Sequence, residues 1–426
     1  MHSCDISLNN ITKIEGHAHL NLKVRNNKVQ NVQFIVSENN RFFEKMVLGK
    51  SYEDVPSMVG RICGFCSTAH IVTAFEAFEK VFKVENSIQT GLLRELLYHG
   101  MNLKSHALHL YMLVLPDYLG KESVLEFNKS QHELIHQGLR LKKVGTEILR
   151  LAGGRAYHTL RLRVGGFSKL PTMEELDYLH DLLEKGKKDA NECIALFSKY
   201  LPKFERKTEY VALVGTDYCF LCGTIASSNG IYVAENDYLK HLKEFVVPYS
   251  TAKSAKFAGK EYMVGALARI NLNGSTMKQE VKNKIKEFKL KFPNESPFYN
   301  NISQALEILQ SILASQEIID ELRTRLSNEK PVKFKVRAGT GVGVTEAPRG
   351  TLYHQYTLNS QGRVTDASIV VPTNQNNHNI EEDIRVYAPQ LLKLPKPKIE
   401  LELEKLIRAY DPCISCATHF LKVKWE

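Results

Sequence analysis

Arg61-Ile62-Cys63-Gly64-Phe65-Cys66-Ser67-Thr68-Ala69-His70 and Asp411-Pro412-Cys413-Ile414-Ser415-Cys416-Ala417-Thr418-His419 place one Cys-x-x-Cys pair near each end of a 426-residue chain. A pair at this spacing offers two soft thiolates to one metal ion, and two pairs can complete a four-thiolate site. Structural zinc sites usually take both pairs from one short segment, with about 15–20 residues between them. Here almost the whole chain intervenes. The fold itself must therefore bring the pairs together, which argues for a buried metal centre in a large protein.

Each pair sits where a thiolate is favoured. Cys66 directly precedes a helical pattern, whose N–H-rich end stabilises negative charge and lowers a thiol pKa. Gly64 lets the backbone bend tightly between the sulfurs. Pro412 pushes Asp411 out of helical geometry, so the preceding helix should break there. Asp411 is then expected to cap a fresh turn with Pro412 at its first position. Cys413 and Cys416 would project from one face of that turn. His70 and His419 close the two motifs, as metal ligands or as donors that hold the sulfurs.

Working outward, His17 to Val24 alternates and Val29 to Val36 continues with β-branched residues across an Asn26-Asn27 turn, which predicts two strands. Ser67 to Phe82 has helical spacing. Ser87 can cap a long helix towards Leu115, stopped by Pro116. Further helical patterns cover Val124–Leu151, Thr172–Tyr200, Met277–Leu290 and Ile302–Leu326. Beyond Pro331 the pattern returns to strands at Phe334–Val336, Leu352–Leu358 and Arg363–Val371, joined by Gly-rich turns. A Lys/Pro linker, Pro389 to Pro397, leads to a last helix, Ile399–Tyr410. The expectation is a predominantly helical α+β protein, with a buried long-helix bundle and β segments near the N-terminus and in the C-terminal third. Residues 1–426 read as one domain: a β-rich part (1–60), a helical core (61–330) and a C-terminal part (331–426) with the second metal motif.

Net charge is +10. The basic residues are interspersed with acids, as in Lys278–Glu287, a solvated-face pattern without nucleic-acid motifs. No stretch approaches the roughly 20 apolar residues of a spanning helix, and no secretory signal opens the chain. The expectation is a cytoplasmic protein with no nucleic-acid partner and no direct membrane insertion. Of eight cysteines, six lie in Cys-x-x-Cys pairs. The third pair, Cys219 and Cys222, reads as buried free thiols, with metal binding alongside Cys4 or Cys193 as the alternative.

At these residues the sequence resembles the large catalytic subunit of nickel–iron hydrogenases, over its full length. Ile14-Glu15-Gly16-His17, Arg41-Phe42-Phe43-Glu44, Ser105 to Tyr111, Gly154 to His158, Glu346-Ala347-Pro348-Arg349-Gly350 and Pro372-Thr373 extend the resemblance. Arg41 to Glu44, Leu108 to Asp117 and Ala409 to Cys416 bring it nearest to the cytosolic sulfhydrogenase or NAD(P)-linked type. The resemblance implies Cys63 and Cys413 as terminal nickel ligands, and Cys66 and Cys416 as bridges to an iron carrying carbon monoxide and cyanide. It implies magnesium near Glu44 and His419. Glu15 would carry protons away, and Arg349, Asp117 and Asp411 would line the pocket. Pro372 to Asn376 follows the family only in part and receives no site role.

Splitting dihydrogen needs a Lewis acid and a base side by side. Cys413 as thiolate, or Arg349 in an unusual base form, is the proton acceptor expected. Glu15 must then change protonation state near working pH, which a partly buried Glu with a raised pKa would do. The resemblance also implies an iron–sulfur small subunit, flavin/iron–sulfur diaphorase-type subunits, nickel-insertion proteins, and an endopeptidase removing 420–426 after His419. Bland readings stand beside these: Glu15 as a surface strand residue, Glu44 as a solvated charge, Arg349 and Asp117 as turn residues, His106 and His109 as satisfied core histidines. A membrane-bound energy-converting hydrogenase, a silent scaffold and a zinc-stabilised binding protein are the competing functions.

Overall fold

A computed structural model describes residues 4–218 and 220–418. The cysteine loops hang on two elements that meet in the core. The Ser67–Phe82 helix starts immediately after Cys66, with the bounds its apolar spacing predicts. It packs against an antiparallel sheet of Gly339–Ala347, Gly350–Leu358 and Val364–Val370. The first of these strands was expected to be turns, because it is Gly-rich. Its glycines instead let strand and helix touch. A Cβ on Gly343 would lie 2.3 Å from the Thr73 carbonyl oxygen, closer than any side chain allows. Phe334–Val336, expected as a strand, has no ladder partner among the described residues. Phe334 packs through its ring, 5.1 Å from that of Phe82.

The helical bundle comprises Ile88–Leu108, His132–Gly153, Met173–Phe197 and Tyr299–Arg325. Ser87 caps the first by accepting from the Thr90 N–H, and Thr172 forms a capping box with Glu175 at the third. The Tyr299–Arg325 helix is buried along most of its length, although many of its buried residues are polar, among them Asn300, Gln304, Glu307 and Gln310. The first two helices cross at glycines: a Cβ on Gly145 would meet the Gly100 carbonyl at 2.2 Å. Two helix limits differ from expectation. Val124–Glu126 is a separate 3-10 turn before His132. Pro116 does not end its helix: the chain passes through a π-helical turn, His109–Val114, into Leu115–Tyr118. Proline is tolerated there in the first turn of the new segment.

Near the N-terminus, Cys4–Leu8, Ala18–Arg25 and Lys28–Val36 form an antiparallel sheet. Alternate residues Ala18, Leu20, Leu22 and Val24 are buried and share a core with Ile380, Ile384, Ile399 and Leu403. These belong to the Pro372–Leu391 and Lys396–Ala409 helices. Pro389 therefore lies inside a helix, and the expected linker shortens to the few residues between them. The middle of the chain is not purely helical. Tyr262–Met263, Glu209–Val214, Thr224–Ser227 and Tyr232–Val233 form a sheet, and Leu242–Val246 pairs with Lys253–Phe257. These short strands carry too few residues for a period to show. The whole is α+β and predominantly helical. No described helix is long and apolar enough to cross a membrane.

Candidate metal centre

The two cysteine loops meet. Cys63 Sγ lies 3.3 Å from Cys413 Sγ, Cys66 Sγ 3.1 Å from Cys416 Sγ, and Cys413 Sγ 3.0 Å from Cys416 Sγ. The four sulfurs lie within 4.8 Å of one another, and all four residues are buried. Cys66 is the residue before the Ser67–Phe82 helix and Cys413 the residue before Ile414–Ala417. Hydrogen bonds from Cys413, Cys416 and Cys66 hold the Cys63 thiol well below its usual pKa. Burial pushes Cys413 well above it.

Glu15 is part of this cage. Its carbonyl accepts from the Ile414 N–H at 2.9 Å, pairing Glu15 with Cys413 across a parallel bridge. Its carboxylate accepts from the Ser415 N–H at 2.9 Å and from the Ser415 hydroxyl, and lies 3.2 Å from Cys413 Sγ. The Glu15 side chain is partly buried. On the opposite side, Arg349 donates through Nε to the Asp411 carbonyl at 2.6 Å and through Nη2 to its carboxylate at 2.8 Å. Nη1 is buried and has no hydrogen-bond partner among the described residues. Asp411 and the cysteines outweigh burial and raise the Arg349 pKa well above its ordinary value.

Asp411 does not cap the last turn; Cys413 occupies that position. Asp411 instead takes a left-handed conformation, φ 52°, which an acidic residue tolerates better than most. Gln304 donates to its carboxylate at 3.1 Å. Gln304 in turn meets His109 Nδ1 at 2.5 Å, and His109 Nε2 bonds the Arg408 carbonyl at 2.8 Å. His106 bonds Glu307 at 2.8 Å. His109 is therefore a satisfied core residue; His106 is also in the core, but its Nδ1 is buried without a hydrogen-bond partner among the described residues. Asp117 is buried in ion pairs with Arg408 at 2.6 Å and Lys13 at 2.7 Å. Glu44 accepts from the Ile369 N–H at 2.9 Å, with Lys253 at 3.6 Å. His419 and 420–426 lie outside the described residues, as does Cys219. Cys222 is exposed, so the expectation of burial fails there.

Thr373 and Arg269 received no site role in the sequence reading, whereas His70 was named there as a ligand or supporting donor. Thr373, at the start of the Pro372–Leu391 helix, accepts from the Cys413 N–H at 3.0 Å. His70 lies 4.0 Å from Cys416 Sγ, and its other nitrogen meets His354 at 2.9 Å. Arg269 holds the turn that presents Arg349, donating to the carbonyls of Ala347 at 3.0 Å and Pro348 at 3.1 Å. Glu307 and Glu346 pair with it at 2.6 and 2.9 Å, fully buried. Removing one partner of such a group strands a buried charge, at about 3–5 kcal/mol. Arg269→Met should destabilise the chain by that amount, read as a lowered unfolding midpoint. An unchanged midpoint would show that the network contributes little.

Four soft donors in a dry cage define a transition-metal protein rather than a disulfide-stabilised one. A family model, "Nickel-dependent hydrogenase", matches residues 41–147 and 227–419. Sulfhydrogenase 1 subunit alpha of Pyrococcus furiosus is 34% identical, covering 98% of each chain. NAD-reducing hydrogenase HoxS subunit beta of Cupriavidus necator is 28% identical, covering 96% of this chain and 94% of its own. A crystal structure of NAD+-reducing [NiFe]-hydrogenase in the H2-reduced state superposes with a TM-score of 0.88 at 24% identity, covering 98% of this chain and 99% of the other, which shows a shared fold. The chain belongs to the nickel-dependent hydrogenase family and is an oxidoreductase, the large catalytic subunit. As such a subunit it works with a small-subunit partner. The relatives' names speak against the membrane-bound alternative.

Proposed function

We propose that this chain cleaves dihydrogen reversibly and heterolytically in a cytoplasmic multisubunit enzyme, with Cys63 and Cys413 holding nickel and Cys66 and Cys416 bridging it to iron. The observation that carries this reading is the buried cage of four sulfurs within 4.8 Å. The donor set fits: four buried thiolates are soft donors close enough together to hold transition-metal ions. Carbon monoxide and cyanide would complete the iron. Glu44 and His419 would hold magnesium.

When bound, the metal pair supplies the Lewis acidity that polarises dihydrogen. The chain supplies the base and the exit. Cys413 Sγ is the first acceptor for the proton, and Glu15, 3.2 Å away, takes it outward. Arg349 stays protonated against Asp411, and its unpaired Nη1 presents positive charge within the site, which favours Cys413 over Arg349 as the base. Asp117 acts through Arg408, which it pairs, in supporting residues 408–411 beneath the pocket.

Electrons leave through an iron–sulfur small subunit. Its further partners, flavin/iron–sulfur diaphorase-type subunits, pass them to NAD(P) or polysulfide. The likeness to sulfhydrogenase and NAD-reducing relatives supports this route. Residues 1–426 act as one unit, a reading supported by one apolar cluster that contains both Cys63 and Cys413. Nickel-insertion proteins load the site, after which an endopeptidase removes 420–426 behind His419. Mass spectrometry of the active enzyme should show a C-terminus at His419; one at Glu426 would overturn the processing step. The functional test is dihydrogen-dependent reduction of NAD(P) and of polysulfide by the purified complex. Reduction of one of them is expected, and reduction of neither, with an active dye assay, would overturn the acceptor assignment.

A further inference from the structure

Arg41 bonds both cysteine loops at once. Its Nη2 donates to the carbonyl of Ile62, the residue before Cys63, and to the carbonyl of Ser415, the residue before Cys416. Its backbone N–H donates to the Thr418 carbonyl at 2.7 Å, at the end of the same C-terminal turn. The guanidinium lies 5.5 Å from the centre of the Phe43 ring, which restrains it from one side. Sulfur ligation gives Arg41 no part, and the family resemblance of Arg41 to Glu44 assigns a role only to Glu44.

The two loops otherwise bring hostile groups together. Two carbonyl oxygens point at one spot, and the sulfurs they precede repel one another once ionised. A guanidinium nitrogen has two N–H groups and a delocalised positive charge, so it satisfies one carbonyl of each loop. Charge-assisted bonds of this kind are roughly twice as strong as neutral ones. A lysine would bring a compact point charge without the planar fork.

We infer that Arg41 is a latch, a positioning residue that fixes the separation of the two cysteine pairs and so sets how firmly the cage retains its metal. The inference rests on the reading that nickel sits among the four sulfurs. The test is the rate at which the purified complex releases nickel to an external chelator. Arg41→Ala should release it about tenfold faster or more, the loss expected for charged hydrogen bonds removed from a buried site. Arg41→Lys should fall between. Free guanidinium at millimolar concentration should slow release from Arg41→Ala, an effect that general loosening of the fold would not show.

An Arg41→Ala complex releasing nickel at the unaltered rate would overturn the latch, as would fast release that guanidinium leaves unchanged. If Arg41→Ala fails to assemble, Arg41→Lys and Arg41→Gln are read in the same assay, and unaltered rates in both overturn it. Absence of nickel from the unaltered enzyme would instead overturn the functional reading, and the latch with it.

Discussion

Glu15→Gln should lower dihydrogen oxidation by about 10²-fold or more while leaving the nickel and iron content intact. Glutamine keeps the size of the side chain and an oxygen for the Ser415 N–H bond. It cannot take a proton from Cys413 and hand it on. Positioned proton-transfer groups contribute about 10²–10⁴-fold in rate. The geometry leaves Glu15 well placed for the task, at 3.2 Å from the sulfur and only partly buried. The backbone pairing of Glu15 with Cys413 does not involve the side chain, so the loop should keep its place. Exchange between dihydrogen isotopes and solvent protons should fall in parallel with turnover. A Glu15→Gln enzyme with full rate and full exchange would show that protons leave elsewhere.

Cys66→Ser should be more severe, abolishing both metal retention and turnover. A serine hydroxyl is a hard, weakly acidic donor where the site requires a soft thiolate. The sulfur it replaces lies 3.1 Å from that of Cys416, on the edge assigned to both metals. The backbone of Cys66 still precedes the same helix, and serine is acceptable in that position. The fold should therefore survive, with a near-normal unfolding midpoint and no nickel. Cys222→Ser, at an exposed thiol, is the matched control and should leave metal content and activity unchanged. Nickel retained at full occupancy in Cys66→Ser would remove this cysteine from the ligand set.

Much of the centre was legible because its chemistry is local. The two Cys-x-x-Cys motifs, the helix start behind Cys66 and the capping residue Ser87 each depend on a few neighbouring residues. Glu15, Arg349 and Asp411 were found through motif resemblance, and the structure brings them to the sulfurs. Asp411 illustrates the limit. Pro412 does disfavour helix at that point, but the left-handed turn follows from Arg349 and Gln304, which grip Asp411 from distant segments.

The same limit explains the rest. Gly341 and Gly343 looked like turn residues because the Ser67–Phe82 helix that demands their lack of side chain is remote in sequence. Pro116 looked like a stop because the π-helical turn ahead of it leaves no local signature. Thr373, Arg41 and Arg269 act on backbone carbonyls or N–H groups, which every sequence possesses. Nothing in the residue pattern marks which of them will converge.

X-ray absorption at the nickel edge of the purified complex tests the central claim most directly. The account predicts nickel with sulfur neighbours at about 2.3 Å, the usual metal–thiolate length, and an iron atom as the next heavy neighbour. Zinc in place of nickel, or nickel surrounded by nitrogen and oxygen alone, would contradict it.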